Sequence, residues 1–231
     1  ATFDGGFDYQ VSRPDLALDS DDRAYLTYVI NSGLNDTIKV RCVDLAANCY
    51  RGVTLLTVPQ ADGPWNVYQN ANIEVLDGQP NVVFAATNDS VTSNDVWWYR
   101  PPSSGGNTAP LQVSQTPDDS EGEPLIVKEH STFGDVGVVG WRIYRALFAD
   151  AQAPEVTSGL CWGDVSMIYN LGNDRRVFEN RGTCDNSGLD MAANGPWVAG
   201  VWVDEESAQI ATHAAWTGFN AYGVSLPAVV R

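Results

Sequence analysis

Lysine and histidine are almost missing from this chain: Lys39, Lys128, His130 and His213 are the only four. Two imidazoles leave little room for a nucleophile–histidine pair, and no Gly-x-Ser-x-Gly elbow accompanies them. A phosphate-cradling loop is excluded as well. Its nearest fragment, Ser103-Ser-Gly-Gly-Asn107, lacks both the lysine and a following helix. No Cys-x-x-Cys occurs, and the histidines stand far from the cysteines, so a zinc site is not expected. No apolar run approaches 18 residues, which removes a helical membrane span. Positive charge is scarce overall: 13 basic residues, eleven of them Arg, face 29 acidic ones for a net charge of −16. Such a surface repels phosphate backbones and anionic lipid, so neither nucleic acid nor membrane is an expected partner. The chain opens at Ala1 as an exported, processed protein would.

What is present reads as extracellular and β-rich. Four cysteines permit three pairings, and the shortest loops are closed by Cys42–Cys49 and Cys161–Cys184. Disulfides imply an oxidising compartment, and the expected location is outside the cell.

A weak repeat decides the fold class. The first copy runs Pro14-Asp-Leu-Ala-Leu-Asp19, Ala24-Tyr-Leu-Thr-Tyr-Val29, Thr37-Ile-Lys-Val-Arg-Cys42 and Val53-Thr-Leu-Leu56. The second runs Asn72-Ile-Glu-Val-Leu76, Asn81-Val-Val-Phe-Ala-Ala86, Asp95-Val-Trp-Trp-Tyr-Arg100 and Leu111-Gln-Val113. Leu16 and Ile73 are 57 positions apart. Further copies begin at Pro124 and Leu189, giving repeats over 12–60, 68–116, 120–182 and 185–231 within a single domain, 1–231. The third carries an apparent insertion at 142–163, whose Tyr144–Ala151 stretch is the best helical candidate. Four short segments per copy, rich in Val, Ile, Tyr and Trp and split by Asp/Asn/Gly turns, are strands. The expectation is an all-β chain: a β-propeller of four blades, or five if the insertion adds one. A β-sandwich is the alternative.

The stretch Pro14-Asp-Leu-Ala-Leu-Asp-Ser-Asp-Asp-Arg-Ala-Tyr-Leu-Thr-Tyr28 resembles the opening of a blade in secreted sialidase-like propellers. The Asp-box of that superfamily, Ser-x-Asp-x-Gly-x-Thr-Trp, is missing; Ser93-Asn-Asp-Val-Trp97 and Ser103-Ser-Gly-Gly106 do not match it. The resemblance therefore implies the fold and no activity. The arginines such a site would need, Arg13, Arg41, Arg100 and Arg142, cannot be placed at one mouth from sequence.

Candidate site residues fall into three sets. Eight Trp and nine Tyr supply aromatic faces that stack on sugars. Trp65, after Gly63-Pro64, is the leading sugar-stacking candidate, followed by Trp97 and Tyr99, which alternate with Trp98 along one strand. Acidic turns at Asp19, Asp21, Asp22 and at Asp204, Glu205, Glu206 read as solvated loops. The run Asp118, Asp119, Glu121 and Glu123 is the one candidate for Ca²⁺. Asn35-Asp-Thr37 and Asn88-Asp-Ser90 are glycosylation sequons. Together these point to an extracellular binding module for glycan or a cell-surface or matrix component. A polysaccharide-acting enzyme, hydrolase or lyase, is the first alternative, and a self-assembling structural subunit the second.

Overall fold

The computed structural model describes residues 10–21, 23–31, 35–43, 54–59, 63, 65–88, 91–100, 109–114, 120–131, 134–147, 155–164, 175–179, 186–194, 197–204 and 211–218. All regular structure among them is β, and no described helix is long and apolar enough to cross a membrane. The chain divides into two compact units, Ala1–Gln115 and Thr116–Arg231.

The first unit holds two meander sheets. One contains β1 (Gln10–Leu18), β2 (Ala24–Asn31), β3 (Asp36–Val43) and β4 (Thr54–Thr57). The other contains β5 (Asn66–Leu76), β6 (Gln79–Asn88), β7 (Val91–Tyr99) and β8 (Leu111–Gln112). In the second unit, β9 (Ser120–Ser131), β10 (Gly134–Leu147), β11 (Glu155–Asp164) and β12 (Arg175–Glu179) form a third meander. A fourth sheet contains β13 (Asn186–Asn194), β14 (Trp197–Asp204) and β15 (Ala211–Gly218). Sequential antiparallel meanders of this size, repeated along the chain, are blades. The fold class is all-β and of the β-propeller kind. The fourth strand expected at Val224–Leu226 lies outside the described residues.

Alternation builds the core of the first unit. Tyr25 and Val29 of β2, with Ile38, Val40 and Cys42 of β3, face Ala71, Ile73 and Val75 of β5, Val82, Phe84 and Ala86 of β6, and Trp97 and Tyr99 of β7. The β5–β6 hairpin turns on Asp77-Gly78, at φ +48° and +71°, the left-handed pair a two-residue turn demands. Each first strand carries a bulge or faces one. The register shifts fall between Ser12 and Asp15, Tyr68 and Ala71, and Ser187 and Asp190, and opposite β9 between Gly140 and Arg142. The bulges show that Asp15 corresponds to Ala71, so Ala17, not Leu16, matches Ile73. That one-residue slip matters because it exchanges the faces: Leu16 is 55% exposed, whereas Ile73 is in the core.

Two carboxylates join the first two sheets. Asp15 Oδ2 accepts from Asn72 Nδ2 at 2.6 Å and from the Ile73 amide at 2.8 Å. Asp36 bridges to Trp65, with its amide donating to the Trp65 carbonyl at 2.8 Å, while its Oδ2 accepts from the Val67 amide at 2.7 Å. Burial pushes the Asp36 carboxyl up, and the Val67 amide only partly opposes this. With its folded value above the unfolded value of about 3.9, the native state holds this proton longer, so stability falls as pH rises through that window. Asp36→Asn removes the fall. The urea midpoint difference, variant minus parent, is expected to widen in the variant's favour between about pH 4 and 7. A constant difference would show that Asp36 ionises unhindered.

The stretch read as an insertion is a hairpin. Strand β10 runs on to Leu147 and β11 begins at Glu155, in unbroken register from Val138↔Asp164 to Leu147↔Glu155. The expected third strand, starting at Asp164, is where β11 already ends, and residues 165–174 lie outside the described set. Tyr144–Leu147, expected as helix, is strand, and Arg145–Leu147 belongs to the third sheet rather than to a fifth. The ladder to β11 satisfies this backbone, which overrides the weak helical preference of Ala and Leu.

Candidate functional site

The aromatic candidates are core residues. Trp65 is 1% exposed, its indole N–H donates to the Pro59 carbonyl at 3.0 Å, and its ring packs edge-on against Phe84 and Trp97, each with centroids 5.1 Å away. Trp97 is 5% exposed and donates to the Ala86 carbonyl at 3.1 Å. Tyr99 is buried beside them. None offers a ring face to a sugar. A loop tryptophan after Gly-Pro looked available from sequence. It is buried because the Asp36–Trp65 bridge draws that loop onto the first sheet. Among the described residues, the exposed large hydrophobics are Leu16, Leu18 and Leu111, with no aromatic.

The Tyr99 hydroxyl makes no hydrogen bond, and burial pushes it up. Tyr99→Phe removes a desolvated polar atom without opening a cavity. The expected result is unchanged or higher stability, by up to about 1 kcal/mol, in denaturant unfolding. A loss above that size would mean the hydroxyl has a partner.

In the first acidic turn Asp22 lies outside the described residues, and Asp19, Asp21 and Arg23 bond one another. Asp19 Oδ1 accepts from the amides of Asp21 and Arg23, each at 2.9 Å, and Oδ2 pairs with Arg23 Nε at 2.6 Å. Burial acts to raise the Asp19 carboxyl, but these donors outweigh it and hold it below the usual range. Arg41 is buried over the Tyr28 ring at 5.7 Å and Arg100 is half-buried, while Arg13 and Arg142 lie on β1 and β10. His130 stands opposite Asp135, and His213 opposite Trp202, in their ladders. Cys42 is buried and disulfide-bonded, Cys161 lies on β11, and Cys49 and Cys184 are outside the described residues. Asn35 is exposed just before β3, and Asn88 is half-buried at the end of β6.

Of the acidic run at 118–123, Glu121 and Glu123 fall at the start of β9. Asp118 and Asp119 lie outside the described residues, and among those described no group of three or more ligating side chains is placed to hold a metal. Glu121 and Glu123 flank Gly122 at the β9–β10 bulge. At the β9–β10 bulge, Gly140 pairs with Leu125 and Arg142 with Gly122, so Glu123 and Pro124 together face Trp141 alone. Glu123 sits at φ +50°, a left-handed conformation that costs a non-glycine residue, and its side chain is half-buried. Glu121 is fully buried two residues before it. Backbone strain at a bulge re-aims a side chain, and such positions concentrate at working sites. In the same unit β13 packs beside β9 and carries Asp190, an exposed carboxylate just past its own bulge. Sequence reasoning had not singled out Asp190 or Trp141. The signal for Asp190 was the bulge position it shares with Asp15, which becomes visible only once the ladders are known.

No protein-family model matches the chain, and no curated protein matches it. Solved structures similar in strand arrangement include an exo-1,5-α-L-arabinanase from a bovine ruminal metagenomic library, at 11% identity and TM-score 0.46, covering 96% of this chain and 79% of that one. An endo-arabinase from Bacteroides thetaiotaomicron has 9% identity and TM-score 0.48, covering 94% and 80%. An α-L-arabinanase from Cellvibrio cellulosa, complexed with arabinohexaose, has 15% identity and TM-score 0.45, covering 94% and 76%. At these identities and scores the likeness carries no chemistry.

Proposed function

We propose that this chain is an extracellular carbohydrate-active protein that acts on polysaccharide through carboxylates, rather than holding glycan on aromatic platforms. The observation that carries the reading is Glu123: a half-buried acid held in a left-handed bulge on the first strand of its sheet. Glycosidic bonds are hydrolysed by paired carboxyl groups, one protonating the leaving oxygen and the other activating water or attacking carbon. Glu123 and Asp190, on the neighbouring first strands of one unit, are the proposed pair. The burial of Trp65, Trp97 and Tyr99 removes the feature that favoured pure binding. The disulfide at Cys42 supports an oxidising, extracellular setting.

Incubation with a panel of polysaccharides, following both retention and new reducing ends, tests the reading. Product is expected on at least one substrate. Retention without product would make the protein a binding module, and neither retention nor product would remove carbohydrate from the account.

A further inference from the structure

The same bulge leaves one strong donor over. Trp141 is sealed from solvent, and its indole N–H meets no acceptor. Buried indole N–H groups normally find a partner, so an orphan of this kind calls for an explanation, of which a bound water or hydroxyl is one.

The register shows what stands beside it. The β10–β11 ladder runs without interruption through Gly140↔Trp162, Trp141↔Cys161 and Arg142↔Leu160. Strand β10 is therefore regular, and positions 139, 141 and 143 share one face. The extra residue of the bulge is on β9, where Glu123 and Pro124 oppose Trp141. Position 143 pairs with Glu121, so Glu121 lies on the Trp141 face as its diagonal cross-strand neighbour, a spacing that long and aromatic side chains span. Both side chains are fully buried. An indole donates only and a carboxylate accepts only. No direct bond from the indole N–H to the carboxylate is formed. A carboxylate has about four lone-pair sites, so Glu121 has capacity for a further donor whatever else it binds. One group fits between such partners: a hydroxyl, which accepts from the indole and donates to the carboxylate.

We propose that the β9–β10 bulge is a built hydroxyl site, with Trp141 Nε1–H donating to, and the Glu121 carboxylate accepting from, one bound oxygen. The burial of both residues favours a water as its source, and a carbohydrate hydroxyl is the other. The site does not depend on the polysaccharide reading, because a water there needs no glycan.

The test is NMR on the full chain with ¹⁵N-labelled indoles, the Trp141 resonance being assigned through Trp141→Phe or, if that variant does not fold, through backbone connectivity. The expected result is magnetisation transfer to the Trp141 Nε1–H from a long-lived water, and a shift of that signal in Glu121→Gln. If an added oligosaccharide replaces the water transfer with its own, the hydroxyl is the sugar's and the site stands. Absence of transfer from water and of any response to saccharide would overturn the site. A Trp141 signal unchanged in folded Glu121→Gln would overturn the part given to Glu121.

Discussion

If the proposed reading holds, Glu123→Gln is expected to stay folded and to lower product release from any polysaccharide the protein cleaves by roughly 10²–10⁴-fold, the range a positioned general acid or base contributes. The substitution keeps the side chain's volume but replaces the carboxyl group with an amide, which can neither give nor take the proton that acid–base chemistry needs. Gln can occupy the same bulge at the same φ of +50°, so the strand pairing of Gly140 with Leu125 and Arg142 with Gly122 is retained. A KM unchanged beside a lowered kcat would mark Glu123 as acting in the reaction rather than in binding. Asp190→Asn, at an exposed position, is expected to lower kcat in the same assay with no loss of stability. If Glu123→Gln retains full activity, the strained bulge is architecture and the chemistry lies elsewhere.

Trp65→Ala, by contrast, costs about 3–5 kcal/mol of folding stability, the usual penalty for truncating a large core aromatic. The ring fills the space between Phe84 and Trp97, and its indole N–H holds the Pro59 carbonyl. Truncation opens a cavity between the first two sheets and leaves that carbonyl without its donor. It also loosens the segment that Asp36 bridges, because the Trp65 carbonyl accepts from the Asp36 amide. Trp65→Phe refills most of the cavity and is expected to recover more than half of the loss in urea unfolding. Had Trp65 been a sugar platform, alanine would have weakened glycan retention at unchanged stability.

The blade pattern was legible because strand and turn chemistry is local. The segments at 24–29 and 37–42 mix buried and partly exposed positions and pair with each other, while the continuous apolar run at 81–86 is buried on both faces between β5 and β7. What misled was anything set by the third dimension. Trp65 looked like a loop residue, and only its bridge to Asp36, 29 positions earlier in the chain, shows that it is core. Leu16 was aligned one position out of register because a bulge adds a residue that composition does not reveal. The long β10–β11 hairpin reads as an insertion because its two strands run on past the spacing of the other copies, from Val138 paired with Asp164 to Leu147 paired with Glu155. The acidic run at 118–123 stands out in the sequence by its charge, as the candidate for Ca²⁺, and half of it lies outside the described residues. The positive φ that sets Glu123 apart is invisible in a run of carboxylates.

The most direct measurement sets Trp65→Ala and Glu123→Gln side by side, recording urea unfolding and polysaccharide product release for each. The account predicts a crossed result: Trp65→Ala loses stability and loses activity only to the extent that it unfolds, while Glu123→Gln keeps its stability and loses product. The reverse would contradict it: a stable Trp65→Ala that no longer retains glycan, beside an active Glu123→Gln, would make the aromatics the site and the β9 carboxylates mere scaffold.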